Sequence, residues 1–187
     1  MTRIASEICG TPIALLTLVG ENRQWFKSRQ GTELTESPRD YSFCAHAILN
    51  PEETMVVPDA RYDERFHDNP LTTGDPQVVF YAGVPVQDDQ GHALGTLCVI
   101  DSRPREISEQ KIASLQALAK LVNAHFELRK TKEKYSQLQH KMVQARQLVY
   151  SLSDTLEHDD ATTTVPPLER EQLTHTVEKL RETFERY

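Results

Sequence analysis

Between Leu121 and Leu156 apolar residues return at every seventh position. Leu121, Leu128, Tyr135, Met142, Val149 and Leu156 form one series; Ala124, Thr131, Leu138, Ala145 and Leu152 follow three residues after its first five members. A sustained heptad of this kind is the seam of a coiled coil, because it keeps its apolar positions on one side of a helix. It commits this part of the chain to one long helix whose apolar edge wants a partner. Thr131, Tyr135 and two alanines weaken the seam, so its stability should be modest without other contacts. His158 to Pro167, HDDATTTVPP, interrupts the pattern. Leu173, Val177, Leu180, Phe184 and Tyr187 then resume it at alternating spacings of four and three. A helical hairpin is expected, and two such hairpins in a homodimer would make a four-helix bundle. A straight continuation is the alternative, since Pro166-Pro167 permits both.

Charge separates the heptad region from what precedes it. Residues 1–118 hold 10 basic and 17 acidic residues, whereas residues 119–187 hold 11 of each, so the overall charge of −7 resides in the first part. That sign argues against nucleic acid or a membrane surface as partner. Cys9, Cys44 and Cys98 have no CxxC spacing and are an odd set, so neither a disulfide framework nor a zinc site is expected. Reduced thiols fit better. No apolar run has the length of a membrane span, and no secretory segment opens the chain. The expectation is a soluble, cytoplasmic protein of two parts: a globular domain over 1–120 and a coiled-coil segment over 121–187.

The globular part is organised around FYAGVPVQDDQGHALGTLCVID, Phe80 to Asp101. Two apolar runs, Phe80–Val86 and Leu94–Ile100, flank a polar turn ending in Gly91, which reads as a β-hairpin. The second run is nearly all apolar and predicts a central strand buried on both faces. Upstream, Met1–Cys9 has a helical pattern. Ile13–Val19 and Gln24–Arg29 form a second hairpin, with Trp25 as an expected packing anchor. Ser42 caps a short helix through Leu49, and Met55–Pro58 is a short strand. Asp59 to Pro76, DARYDERFHDNPLTTGDP, is longer than most connections and alternates aromatics with charges, so an ordered, functional loop is expected.

In order along the chain, TPIALLTLVGENRQWFKSRQG, SPRDYSFCAHAIL, VVPDARYDERFHDNP, FYAGVPV and GHALGTLCVIDSRPR resemble a GAF domain, the small ligand-sensing module of bacterial signalling proteins. The resemblance covers residues 4 to about 122. It implies an α+β fold: an antiparallel sheet of about six strands flanked by helices, a ligand cavity on one face, and a last helix running on into a dimeric signalling helix. The family binds cyclic nucleotides, haem, bilins, amino acids and other small molecules, so the resemblance names no cofactor. Here Gln77-Val78-Val79 stands where the common pattern has His-Ile-Arg, and an arginine able to hold an anion is missing from that strand.

The candidate ligand-binding residues are Phe43, Cys44, His46, Asp59, Arg65, Phe66, Tyr81, Gly83 and Thr96. Phe43, Cys44 and His46 share one helical turn. Asp59, Arg65 and Phe66 stand in the long loop, read either as a lid that covers a ligand or as ion pairs and caps that hold the loop. Tyr81 and Gly83 are cavity wall. Asp101 and Arg103 read as strand-end and turn residues. His140 and His175 lie off the seam and read as solvated helix-surface residues. Two function classes follow: a non-enzymatic small-molecule sensor that signals through Leu121–Leu156 dimerisation to an effector, or a ligand-free GAF dimerisation module with its cavity filled by Phe43, Phe66 and Tyr81. A thiol-based reductase would have Cys44 and Cys98 as its candidate pair, at a spacing that does not match that group's pattern.

Overall fold

The computed structural model describes residues 1–158 and 167–185. Residues 159–166 of the interruption, and Tyr187 at the end of the second seam, lie outside the described residues. The chain divides into two units, Met1–Leu128 and Arg129–Tyr187.

The first unit is built on a six-stranded sheet, antiparallel throughout. Its strands are β1 (Ile13–Val19), β2 (Arg23–Gln30), β3 (Glu36–Pro38), β4 (Met55–Val57), β5 (Phe80–Gln87) and β6 (Ala93–Asp101). Their spatial order is β3-β2-β1-β6-β5-β4. The predicted hairpin of β5 and β6 pairs Phe80 with Asp101 at its base and Gln87 with Ala93 at its tip. Asp88 organises the turn by accepting the Gln90 and His92 amides. Gly91 takes φ 84°, which a residue with a Cβ adopts at a cost. As the second hairpin predicts, β1 pairs with β2; β1 also pairs with β6, so both lie at the centre.

Alternation along these strands makes two apolar layers. Leu16, Phe80, Ala82, Val84, Val86, Leu97 and Val99 face one way. They are covered by Ala5 and Cys9 of α1 (Thr2–Cys9) and by Leu115, Ala119 and Val122 of α4 (Glu109–His158). Leu15, Tyr81, Cys98 and Ile100 face the other way, under α2 (Phe43–Ala47) and residues 57–78. Strand β6 is buried on both faces from Gly95 to Asp101.

One expectation of packing is overturned. Trp25 is 44% exposed, with the Arg23 guanidinium 4.7 Å from its ring. The reason is strand parity. Position 25 pairs with Leu18 and shares its face of β2 with Arg23, while Gln24 lies on the other face and is buried; a β-bulge at Lys27 reverses the phase beyond it, so Arg29 lies on the face opposite Trp25. The 59–76 stretch is ordered: it contains a 3-10 turn at Ala60–Tyr62 and α3 (Pro70–Thr73). Asp59 and Asn69 cap these by accepting the Arg61 and Leu71 amides.

In the second unit α5 (Pro167–Glu185) lies against α4. Val149 and Val177 are buried. The guanidiniums of Arg146 and Arg181 lie over the Tyr150 ring, at 5.5 and 5.1 Å from its centroid. Phe184 shares a groove with Tyr135, Leu138 and Met142. The helical hairpin therefore forms. Much of the heptad is left uncovered even so: Leu121, Leu128, Tyr135, Leu138 and Leu152 are each more than half exposed. Among the described residues no helix is long and apolar enough to cross a membrane.

The end of β6 is fixed by Asp101, as its place in the sequence suggests. Its buried carboxylate accepts the Arg103 amide and the Arg105 guanidinium. An Asp101→Ala change removes two hydrogen bonds to a charged acceptor and should cost about 2 kcal/mol, read as a lower urea midpoint with an unchanged slope.

Candidate functional site

A cavity of about 40 Å³ lies on the α2 side of the sheet. Its floor is Ile13, Leu15, Tyr81 and Ile100; Phe43 and Cys44 reach it from α2, and Gln24 and Phe26 from β2. Thr32, Leu34 and Ser37 close one side, and Leu71, Pro76 and Val78 another. The volume admits a few waters and no metabolite. A larger ligand requires one of those sides to move outward. Leu34, 48% exposed at the rim, has the least to lose by moving.

Why the cavity stays small is visible in the aromatic residues. Phe43 and Phe66 stack at 3.9 Å between ring centroids, and Tyr81 lies 5.4 Å from Phe43. Phe66 and Tyr81 are fully buried. The Ser42 side chain caps α2 by accepting the Ala45 amide, as its position predicts. Its hydroxyl donates to Gln24 Oε1 at 2.6 Å, while Gln24 Nε2 donates to Ser37 Oγ at 2.8 Å. These buried side chains tie α2 to β2 and β3 and satisfy one another.

A second polar group lies beneath α2. The Tyr81 hydroxyl is 3.4 Å from both Cys44 Sγ and Thr96 Oγ1, and Thr96 is 3.3 Å from Thr17 across the β1–β6 pair. Cys44 and Cys98 bring their sulfurs to 3.9 Å. Burial pushes the Cys44 thiol up, but bonds from Cys98, Thr17, Thr96 and Tyr81 outweigh that and hold it below the ordinary cysteine value. Cys98 moves well up, first through its bond to Cys44 and then through burial. Burial likewise raises the Tyr81 phenol.

Of the nine residues singled out from the sequence, Phe43, Cys44 and Tyr81 line the cavity. Phe66 and Thr96 stand behind them, on Phe43 and Tyr81. Gly83 makes room for Tyr81: a Cβ there would come 2.2 Å from the phenolic oxygen. His46 is exposed and sets its ring edge against Phe66 at 4.9 Å. Asp59 and Arg65 turn outward. Asp59 pairs with Arg61 at 2.6 Å, and Arg65 pairs with Asp63 at 2.7 Å and covers the Phe66 ring at 5.0 Å. The loop's charges thus cap and brace it. Sequence reasoning missed Gln24, Phe26 and Ser37. The alternation in RQWFKSRQ, with Gln24, Phe26 and Ser28 in one phase and three basic residues and Trp25 in the other, was the available signal. Among the described residues no group of three or more His, Cys, Asp or Glu is placed to hold a metal.

The first unit is thus an α+β domain: an antiparallel sheet with a cavity under a short capped helix, its central strand leading to a long exit helix. The GAF domain family matches residues 1–126, and the chain belongs to that family. It is 45% identical over 115 residues to a cyclic di-GMP phosphodiesterase of Pseudomonas aeruginosa; the match covers 61% of this chain and 19% of that protein. In fold it resembles the free methionine-R-sulfoxide reductase of Neisseria meningitidis, solved with its substrate (TM-score 0.56, 20% identity, 70% of this chain and 75% of that one). It also resembles the GAF domain of an Acinetobacter phosphoenolpyruvate-protein phosphotransferase (TM-score 0.52, 18% identity, 70% and 82%).

Gly83→Ala should force the Tyr81 ring off its partners and destabilise the domain by about 1–3 kcal/mol in urea titration. A change within ~0.5 kcal/mol would mean the ring has somewhere else to go. His46 is held below the ordinary histidine value, first by partial burial and then by Arg65. Protonating it therefore disfavours the folded state, and its contribution is present above the unfolded value and lost as pH falls through the folded one. NMR titration should find the His46 midpoint below 6.5, the reference value for an unperturbed histidine.

Proposed function

We propose that this GAF signalling module is a non-enzymatic sensor: a small, mainly apolar ligand enters beneath α2, and α4 carries the response as half of a dimeric coiled coil. The carrying observation is that one strand serves both ends. Ile100 of β6 lines the cavity, while Leu97 and Val99 of the same strand belong to the layer that Leu115, Ala119 and Val122 of α4 cover. A ligand that shifts β6 shifts the seat of α4, and packed elements of this kind tend to switch between discrete arrangements. The exposed heptad residues supply the reason for a second copy, since isolated apolar seams of this regularity pair. Likeness to part of a cyclic di-GMP phosphodiesterase supports an effector acting in cyclic di-GMP turnover.

A second reading is a ligand-free dimerisation module. The Phe43–Phe66 stack and the small residual cavity favour it.

Native mass spectrometry of the whole chain decides between them. The sensor reading expects a dimer that carries an additional small mass, or acquires one from a metabolite extract. A dimer that stays bare in every extract supports the dimerisation module. A monomer overturns both. Leu138→Lys, which puts charge into the seam, should raise the dimer dissociation constant at least tenfold and leave the GAF domain folded. Catalytic turnover of a bound molecule would overturn the non-enzymatic reading.

A further inference from the structure

The cavity wall includes one of two buried thiols that come from different elements. Cys44 is on α2 and Cys98 is on β6, and their sulfurs stand 3.9 Å apart. We propose that Cys44 and Cys98 form a reversible dithiol switch, oxidised to a disulfide by a small uncharged oxidant of the hydroperoxide class that enters through the cavity.

Four observations support this. Cys44 lines the cavity and so has an approach from it, although its side chain is otherwise buried. The cavity's 40 Å³ suits a molecule little larger than water. The Tyr81 hydroxyl donates to the Cys44 sulfur at 3.4 Å, beside the paired Thr17 and Thr96 hydroxyls. That donor stabilises a thiolate, the reactive form of cysteine. Cys98 is the resolving thiol, already at van der Waals distance. The third thiol, Cys9, belongs to the opposite layer, and burial pushes it up, so the protein carries its own control.

With hydrogen peroxide the chemistry balances. The Cys44 thiolate attacks one peroxide oxygen, the O–O bond breaks, and its electron pair leaves with hydroxide, which takes up the proton Cys44 released. Cys44 is now a sulfenic acid. The Cys98 sulfur displaces the hydroxyl from it, the Cys98 proton goes to that leaving group, and the S–S bond closes. Two thiols and one hydrogen peroxide give one disulfide and two waters. A dithiol reductant reverses the bond by exchange.

Closing the bond draws the sulfurs together by about 2 Å. It removes Cys44 from the Tyr81 hydroxyl and ties α2 to the strand that underlies α4. The switch needs neither a metabolite nor a dimer, so its failure and that of the sensor reading are separable.

The test treats the full reduced chain with hydrogen peroxide and reads it by intact mass and non-reducing peptide mapping. The expected product has lost two hydrogens, contains a Cys44–Cys98 cross-linked peptide with Cys9 still free, and returns to the starting mass with dithiothreitol. Cys44 should oxidise at least ~tenfold faster than Cys9. In Cys98→Ser, a sulfenic acid should accumulate on Cys44 and be trapped by dimedone. Cys9→Ser should form the cross-link at the unaltered rate. The proposal fails if no Cys44–Cys98 peptide forms in folded protein, if oxidation proceeds only at the rate of global unfolding, or if Cys9 is consumed as fast as Cys44.

Discussion

Everything in the GAF domain depends on the two-residue alternation of β6 at the centre of the sheet. Because β6 is covered on both sides, each of its residues is assigned to one layer or the other, and a slip of one position would exchange them all. Leu97 and Val99 face the exit helix; Thr96, Cys98 and Ile100 face α2. Pairing with β1 in register, Thr17 opposite Thr96 and Leu15 opposite Cys98, then sets a hydroxyl pair and a thiol side by side in an apolar surround. Buried polar groups of this kind are tolerated when they bond to one another. Tyr81, from the next strand, joins them across the space that Gly83 leaves open.

The opposite ends of the chain solve different problems. In the GAF domain two apolar layers are covered by the chain's own helices. In the hairpin of α4 and α5, Val149, Val177 and the Arg146–Tyr150–Arg181 stack satisfy the helices only in part. Most of the leucines of α4 that remain exposed, Leu121, Leu128, Leu138 and Leu152, are heptad positions. That regularity is the mark of a surface shaped for something besides its own fold.

Much of the fold was legible. The hairpin of β5 and β6 announced itself through two apolar runs and Gly91, and the long helix through its heptad. The site was legible in part. Phe43, Cys44 and Tyr81 lie where short-range pattern puts them, and the alternation of β2 marks Gln24, but Ser37 and Leu34 come to the cavity through the pairing of β3 with β2, which no local pattern states. Trp25 illustrates the same gap: its size suggested a core residue, yet the parity of a strand with basic residues at alternate positions turned it outward. The Asp59 and Arg65 charges were candidate ligand contacts because their partners, Arg61 and Asp63, are only two residues away, a spacing that this irregular loop brings together and a helix does not.

Those two ion pairs have a further consequence. Each cancels its own charge locally, so the 59–65 stretch adds to the electric field at the cavity's approach only the net charge of Glu64. The field there is mainly that of the rest of residues 1–118, where acidic residues outnumber basic ones by 14 to 8. Fields of that sign slow the arrival of anions and hasten cations, most strongly at low ionic strength. A neutral molecule feels none of it, so the domain discriminates by charge at the encounter itself, before any contact within the cavity is made.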